Sequence, residues 1–285
     1  MRTALVKSFA VARDYSCVVQ SIYMTTQIVE RVAIEIDGEG DAILCIHGLG
    51  GSSNTFTPIM GALSRSKTIR LDLPGSGRSW RVEGPLSIAG FVACAKYALQ
   101  KLGVDKAHVI GHSLGTIVAQ HLAASESTLV RSLCLFGPLL APPDTARGNI
   151  RARGQKARSE GIPGMQEIAD AVAQASTASE TKQRRPAVMA YVRETLMRQD
   201  PDGYGRTCEA LADAQPADTT KIDCPVLLVT GDEDVVAPPQ SVRQMAAKIT
   251  GARVEVLRGC GHWTPIEKPE ECSDLVRQFL NQRMK

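Results

Sequence analysis

The 285-residue sequence has few aromatic residues, little excess charge and no long apolar run. Its apolar stretches, such as Ala42–Ile46 and 225–229, have the length of a β-strand, far below the roughly 18 residues that a membrane-spanning helix needs. Aromatic residues make up 4% of the chain, and 33 basic against 30 acidic residues leave a net charge of +3. Nucleic-acid-binding proteins use basic surfaces and aromatic stacking platforms. We therefore expect a soluble globular protein that binds neither nucleic acid nor membranes.

The sequence also lacks the spacings typical of metal and redox sites. Its eight cysteines form no C-x-x-C pair and no H-E-x-x-H motif occurs, so neither a zinc site nor a catalytic metal is expected. Scattered cysteines in a long chain are typical of a reducing compartment, which predicts a cytoplasmic protein. Residues 1–23 include Arg13 and Asp14 and do not resemble a secretory signal. We interpret them as an N-terminal extension, with translation from Met1 or Met24 left open.

What the sequence does contain is an alternation of strand-like and helix-like segments. Short apolar or β-branched runs predict strands, and apolar residues spaced three and four apart predict helices. The predicted strands lie at 28–36, 42–46, 67–73, 107–110, 130–136, 225–230 and 254–257, and the helices between or after them at 86–102, 114–124, 241–249 and 273–283. This order favours a parallel α/β sheet flanked by helices.

The pattern changes in the middle of the chain. From 141 to 218 no strand-like run occurs, and the helical stretches lie at 168–175, 188–197 and 204–214. The simplest interpretation is one α/β core, residues 24–140 and 219–285, interrupted by a helical lid at 141–218.

The segment GHSLG at 111–115 matches the G-x-S-x-G pattern. In that pattern the serine lies on a tight turn between a strand and a helix, where larger residues at the glycine positions would collide with neighbouring backbone. The predicted strand 107–110 precedes this segment and the predicted helix 114–124 follows it, as the turn requires. We therefore interpret Ser113 as a nucleophile; the alternative is a glycine-bounded turn with an incidental serine.

A nucleophilic serine needs a base and a carboxylate that orients the base. His262, within RGCGHW, directly follows the last predicted strand, and Asp234, within GDEDVVAP, follows the strand before it. Open α/β sheets hold their sites at the carboxyl ends of the strands. The order serine, acid, histidine along the chain is one that such triads use. Asp232 and Glu233 are competing acids, and the register of the motif favours Asp234.

The glycine-rich segment HGLGG at 47–51 follows the strand Ala42–Ile46. Such a loop turns a backbone N–H toward the nucleophile, so we assign the oxyanion hole to the backbone N–H groups of Leu49 and Leu114. The alternative is a phosphate-binding loop, but no Gly-Lys-Ser/Thr follows it and no G-x-G-x-x-G motif is present.

Five segments in order make the chain resemble the α/β-hydrolase superfamily over nearly its whole length. They are HGLGGS at 47–52, DLPGSGRS at 72–79, GHSLG at 111–115, GDEDVVAPP at 231–239 and GCGHWTPIEKPEE at 259–271. The resemblance implies the α/β-hydrolase fold, a mostly parallel central sheet flanked by helices with a helical lid inserted after the sixth strand. It also implies a serine hydrolase that needs no cofactor and whose partner is a small-molecule ester or lactone substrate.

Within that superfamily the chain is most similar to the 3-oxoadipate enol-lactonase group, through segments at 49–53, 198–204 and 208–214. This similarity implies a role in aromatic compound catabolism. The chain departs from the group at 137–143 and at Leu114 and Thr116, where the group usually carries Met and Gly. Two alternatives stay open: a carbon–carbon bond hydrolase of ring-fission products, whose Pro-Gly-Ala type loop is absent here, and a ligand-binding receptor on a hydrolase scaffold.

Two sets of residues are candidates for substrate binding. The apolar pocket wall is assigned to Phe136, Leu139 and Trp263, with a core role as the alternative. The predicted lid opens with a basic cluster: Arg147, Arg151, Arg153, Lys156 and Arg158. This cluster either attracts a carboxylate-bearing substrate or forms the solvated face of a helix. Neither the physiological substrate nor the oligomeric state follows from the sequence.

Overall fold

The computed structural model describes residues 25–281. The predicted extension at 1–23 and the choice between Met1 and Met24 lie outside the described residues. One sheet contains the strands β1 (Thr25–Val29), β2 (Val32–Asp37), β3 (Ala42–Ile46), β4 (Lys67–Leu71), β5 (Ala107–His112), β6 (Val130–Phe136), β7 (Val226–Gly231) and β8 (Arg253–Leu257).

The strand order across the sheet is β1-β2-β4-β3-β5-β6-β7-β8. Strands β3 to β8 are parallel, and β1 and β2 extend one edge as an antiparallel pair. The prediction of a mostly parallel sheet is therefore confirmed.

Helices connect most of the parallel strands. Those in the described part of the chain are α1 (Ile88–Lys101), α2 (Leu114–Ser125), α3 (Asp144–Glu160), α4 (Ile162–Ser176), α5 (Ser179–Arg184), α6 (Pro186–Met197), α7 (Pro201–Ala212), α8 (Pro239–Ala246), α9 (Thr264–Glu267) and α10 (Pro269–Asn281). Side chains of α1, α2 and α8 share one core cluster with the sheet, and those of α10 and the 3-10 helical segment Ser53–Leu63 share another. No helix within residues 25–281 is long and apolar enough to cross a membrane.

The surroundings of strand β3 explain why its apolar run has no polar interruption. Leu44 and Ile46 belong to the core cluster with α1 and α2, whereas Ile43 and Cys45 belong to the cluster with α10. Successive side chains of a strand point to opposite faces, and both faces of this sheet are covered by helices. Every residue of the strand is consequently buried.

The predicted strand at 28–36 is instead a hairpin. Strands β1 and β2 pair in register around Glu30 and Arg31, whose φ angles are 48° and 68°. A two-residue hairpin turn with positive φ at both positions usually carries Asn or Gly. Because neither residue type occurs here, the sequence held no signal for the turn.

Helices α3 to α7, which we call the lid helices, lie between β6 and β7 in the chain and within the predicted 141–218 segment. Four of them, α3, α4, α6 and α7, form a core of their own with Trp263 and Ile266, from the segment that follows β8. Helix α3 was not among the stretches predicted from apolar spacing, because it is rich in charged residues and buries only Gly154 and Ala157.

Candidate active site

Ser113 occupies the sharp turn between β5 and α2. Its φ and ψ are 52° and −117°, a region that side-chain-bearing residues rarely adopt. A Cβ at Gly111 would lie 2.8 Å from the backbone oxygen of Gly115, and a Cβ at Gly115 would lie 2.0 Å from that of Ile46. The two glycines of the GHSLG segment are therefore required by close backbone approach.

A continuous chain of hydrogen bonds joins Ser113, His262 and Asp234. The hydroxyl of Ser113 lies 2.8 Å from Nε2 of His262, and Nδ1 of His262 lies 2.9 Å from Oδ2 of Asp234. All three residues are buried. An ionised carboxylate only accepts hydrogen bonds, so Nδ1 carries the proton and Nε2 is left to accept from the hydroxyl.

The surroundings of Asp234 favour its ionised form. Burial alone would raise the pKa of this carboxyl, but His262 and the backbone N–H groups of Val236 and Ala237 together hold the pKa below its ordinary value. A charged acceptor therefore faces His262 at neutral pH.

The two competing acids have other partners. Asp232 accepts a hydrogen bond from the backbone N–H of Cys260, and Glu233 accepts from both the N–H and the hydroxyl of Ser179. Of the three consecutive carboxylates, it is Asp234 that contacts His262.

The 47–51 loop lies directly against Ser113. A Cβ at Gly48 would lie 2.8 Å from the Cβ of Ser113. His47 fixes this loop, since its Nδ1 donates to the backbone oxygen of Gly48 and its Nε2 accepts from the N–H of Leu73. Burial lowers the pKa of His47, in keeping with a neutral ring that both donates and accepts.

Leu49 and Leu114, predicted to form the oxyanion hole, flank the serine. Leu49 lines the same cavity as Ser113 and His262. Leu114 is the first residue of α2, so its N–H is among the helix donors that have no partner within the helix. The structure thus brings both residues to the side of the nucleophile.

A cavity of about 880 Å³ opens above Ser113 and His262. The lid helices supply much of its wall, including these residues: Ile150, Arg153, Ile168, Val172, Leu196, Tyr204 and Leu211. Arg153 belongs to the predicted basic cluster, but sequence patterns did not identify the others, because the apolar spacing of a helix does not distinguish a cavity wall from a core.

The structure brings two of the three residues predicted for the pocket wall to the cavity. Leu139 and Trp263 line the cavity. Phe136 does not, and its assignment was wrong. Its side chain is fully buried in the core cluster with Ile43 and α10, because its position along β6 directs it to that face of the sheet.

One supporting residue, Glu267, was not identified by the sequence analysis. Glu267, fully buried, accepts hydrogen bonds from Gly261, Trp263, Ala178 and Thr181, and so ties the His262 loop to the start of α5.

Within residues 25–281 no group of three or more His, Cys, Asp or Glu side chains is arranged to hold a metal ion.

Comparison with known proteins identifies the fold family. The family model described as alpha/beta hydrolase fold matches residues 41–269. A 2-hydroxymuconate semialdehyde hydrolase of Pseudomonas putida is 29% identical over 264 residues, covering 88% of this chain and 90% of the relative. A pimeloyl-[acyl-carrier protein] methyl ester esterase of Neisseria meningitidis is 28% identical over 260 residues, with 84% and 76% covered.

Among solved structures, the enol-lactonase of Burkholderia xenovorans LB400 superposes with a TM-score of 0.83. It is 27% identical, and the match covers 90% of this chain and all of that one.

Proposed function

Because this chain belongs to the alpha/beta hydrolase fold family, we propose that it is a serine hydrolase that cleaves a carboxylic ester or lactone of a small organic acid. The observation that carries the proposal is the unbroken hydrogen-bond chain from Ser113 through His262 to Asp234 at the base of a cavity. A hydroxyl bonded to a base, with the base oriented by a carboxylate, is the arrangement of an activated nucleophile.

In the first half of the proposed reaction, the Ser113 oxygen attacks the substrate carbonyl carbon and its proton passes to Nε2 of His262. Asp234 holds the imidazole in the required tautomer and stabilises its charged form. The N–H groups of Leu49 and Leu114 donate to the oxygen that becomes negatively charged. His262 then gives its proton to the departing alkoxide, which leaves the acyl group on Ser113.

The second half reverses these roles with water. His262 takes a proton from a water molecule, the hydroxide attacks the acyl carbon, and the proton returns to Ser113 as the acid leaves. For a lactone, the released alcohol and the acid are parts of one product. No cofactor is needed, since each step moves only protons and one acyl group.

The relatives support an ester or lactone substrate. The wall beside Ser113 is mainly apolar, and the similar proteins include an enol-lactonase and a methyl ester esterase. We favour an enol-lactone of the 3-oxoadipate type, in the catabolism of aromatic compounds. The unpaired cysteines of residues 25–281 support a cytoplasmic location.

A second candidate is cleavage of a carbon–carbon bond. It is supported by the 29% identity to a 2-hydroxymuconate semialdehyde hydrolase. The same nucleophile and base would serve there, so the two candidates differ in substrate rather than in the residues proposed to act.

Kinetics on three substrates separate the candidates. We would follow the hydrolysis of 3-oxoadipate enol-lactone, a p-nitrophenyl ester and 2-hydroxymuconate semialdehyde, with Ser113→Ala as the control. Loss of the nucleophile is expected to lower kcat by about 10⁶-fold. Turnover of the lactone supports the favoured substrate, and turnover of the semialdehyde alone supports the second candidate. Equal activity of wild type and Ser113→Ala would defeat the proposal.

A further inference from the structure

The basic cluster at the start of the lid divides into two groups. Four of its members are paired through acidic side chains: Arg147 with Asp144, Arg151 with Asp213, Lys156 with Glu160 and Glu167, and Arg158 with Glu209 and Asp202. In the part of the chain that the structure describes, no carboxylate pairs with Arg153. The interpretation as a solvated helix face therefore fits the four paired residues, and the interpretation as a site for a substrate carboxylate fits Arg153.

Arg153 lies on the face of α3 that lines the cavity. Ala146, Asn149, Ile150 and Arg153 all contribute to the wall, at the three- and four-residue spacing of one helix face. Arg151 is outside the wall and partly exposed to solvent. Helix α3 thus carries one guanidinium into the cavity and keeps a neighbouring one at the surface.

The immediate surroundings of Arg153 contain unused hydrogen-bond donors. Its buried Nε and the buried hydroxyl of Tyr204, which lines the same cavity, have no hydrogen-bond partner among residues 25–281 stronger than the sulfur of Cys208, a weak acceptor. Tyr204 and Cys208 lie beside the guanidinium, and burial raises the pKa of both groups above their ordinary values. Both are consequently neutral and do not balance the charge of Arg153.

The other charged side chains of the cavity wall balance each other. Lys156 and Glu167 both line the cavity and form an ion pair of 2.8 Å. Asp234 lies behind His262 and is not part of the wall. Among the described residues, the surplus charge of the wall therefore comes from Arg153. Leaving a buried donor without a partner is costly, and a carboxylate is the acceptor that a guanidinium binds best.

We infer that Arg153, with Tyr204 beside it, binds a second carboxylate of the substrate, so that the preferred substrates are monoesters or lactones of dicarboxylic acids. This inference rests on the proposed hydrolysis at Ser113. Arg153 acts in it as a specificity determinant, since it binds a group remote from the bond that is cleaved.

The direct test compares matched pairs of esters. Mono-p-nitrophenyl esters of dicarboxylic acids with four to seven carbons are measured beside p-nitrophenyl esters of monocarboxylic acids of the same length. For at least one chain length of the acid, wild type should have a higher kcat/KM for the charged ester than for the neutral ester. Arg153→Met should lower the ratio of kcat/KM for the charged ester to that for the neutral ester by about 10- to 100-fold.

Arg151→Met is the matched control, because it removes an equal charge from the same helix outside the cavity. Its ratio should stay that of wild type. Tyr204→Phe should lower the ratio severalfold through loss of one donor. An equal fall of the ratio in Arg151→Met would show a general field effect and would overturn the assignment to Arg153.

A binding measurement covers the case in which Arg153→Met does not fold. Ser113→Ala is titrated calorimetrically with the dicarboxylates and with the monocarboxylates of equal length. Tighter binding of at least one dicarboxylate is expected, and no difference at any length would overturn the inference. If wild type hydrolyses both ester types without preference, this inference fails while the proposed function stands; if it hydrolyses no ester or lactone, the proposed function fails.

Discussion

At the scale of single residues, the site depends on how closely backbone segments approach one another at Ser113. Its positive φ places the hydroxyl at the tip of a turn that leads from β5 to α2. Gly115 sits where a Cβ would meet the backbone oxygen of Ile46 at 2.0 Å. A backbone oxygen in the central sheet cannot move aside as a flexible side chain can. Glycine is therefore required at this position because there is no room for a Cβ.

Gly115→Ala tests this packing requirement. We expect it to lower the free energy of unfolding by about 1–3 kcal/mol through overpacking and to reduce activity by displacing Ser113. Gly148→Ala, on α3 with no atom within 4 Å of its added Cβ, is the control. It should be neutral or stabilise by up to about 1 kcal/mol. Chemical denaturation measures both variants, and equal stability of the two would contradict the requirement.

Asp234→Asn tests the charge that faces His262. The pKa of Asp234 is held below its ordinary value, so its ionised form stabilises the fold above the unfolded-state pKa of about 3.9, and this stabilisation is lost as the pH falls through the lowered folded value. We therefore predict that the variant is less stable than wild type at pH 7 and that the difference narrows below about pH 4. Urea denaturation at a series of pH values measures the difference.

The same variant should lose about 10⁴-fold in kcat, because an amide no longer enforces the required tautomer of His262. Asp232→Asn changes the same charge two residues away, where the carboxylate bonds Cys260 instead. It should keep its kcat within about tenfold, since the acid that contacts His262 is intact. A stability difference for Asp234→Asn that is independent of pH would argue against an ionised Asp234 that stabilises the fold.

At the scale of elements, a buried carboxylate helps to attach the loop that carries His262 to the lid helices. Glu267, at the end of α9, accepts hydrogen bonds from N–H groups on both sides of His262 and from the beginning of α5. The backbone N–H of His262 itself donates to the oxygen of Ser176 at the end of α4. The position of the proposed base therefore depends on the lid helices as well as on β8.

Glu267→Gln should disturb this connection. An amide keeps the size of the side chain but replaces one acceptor oxygen with a donor, so at least one buried N–H or O–H loses its partner. We predict a loss of about 1–3 kcal/mol in stability, with a fall in kcat as the His262 loop loosens. Glu271→Gln, exposed in the first turn of α10, should change stability by less than about 1 kcal/mol. Thermal unfolding and ester hydrolysis measure both, and matching behaviour would contradict the role of Glu267.

Elements also differ in how far the sequence predicts them. Strand β3 was predicted to its bounds, since a strand covered on both faces has an unbroken apolar run. Helix α3 was not predicted, because the few residues that it contributes to the cavity wall stand among many charged ones. The hairpin at Glu30 was not predicted, because its turn contains neither Asn nor Gly.

Side-chain direction limited the predictions for the site. The motif register favoured Asp234, but only the folded turn shows that its two acidic neighbours face other partners. Phe136 was placed in the pocket although its position along β6 turns it to the opposite face. A cluster of basic residues gives no sign that Arg153 lines the cavity without an acidic partner, since this depends on how α3 packs.

At the scale of the whole molecule, the parallel sheet brings distant residues together. Ser113 and His262 are 149 positions apart in the chain, yet the carboxyl ends of β5 and β8 bring their side chains to one edge of the sheet. The lid helices then cover that edge and enclose the cavity. The sheet thus positions the residues of the proposed chemistry, and the lid helices supply much of the wall that a substrate would contact.

The most direct test of the central claim is to trap the acyl group on the protein. We would mix the protein with a p-nitrophenyl ester, quench in acid within the first turnovers, and locate any added acyl mass by peptide mass spectrometry. A Ser113-dependent mechanism predicts one acyl group on the peptide that contains Ser113, a matching burst of p-nitrophenol, and neither in Ser113→Ala. Acyl transfer to another residue, or full turnover by Ser113→Ala, would contradict it.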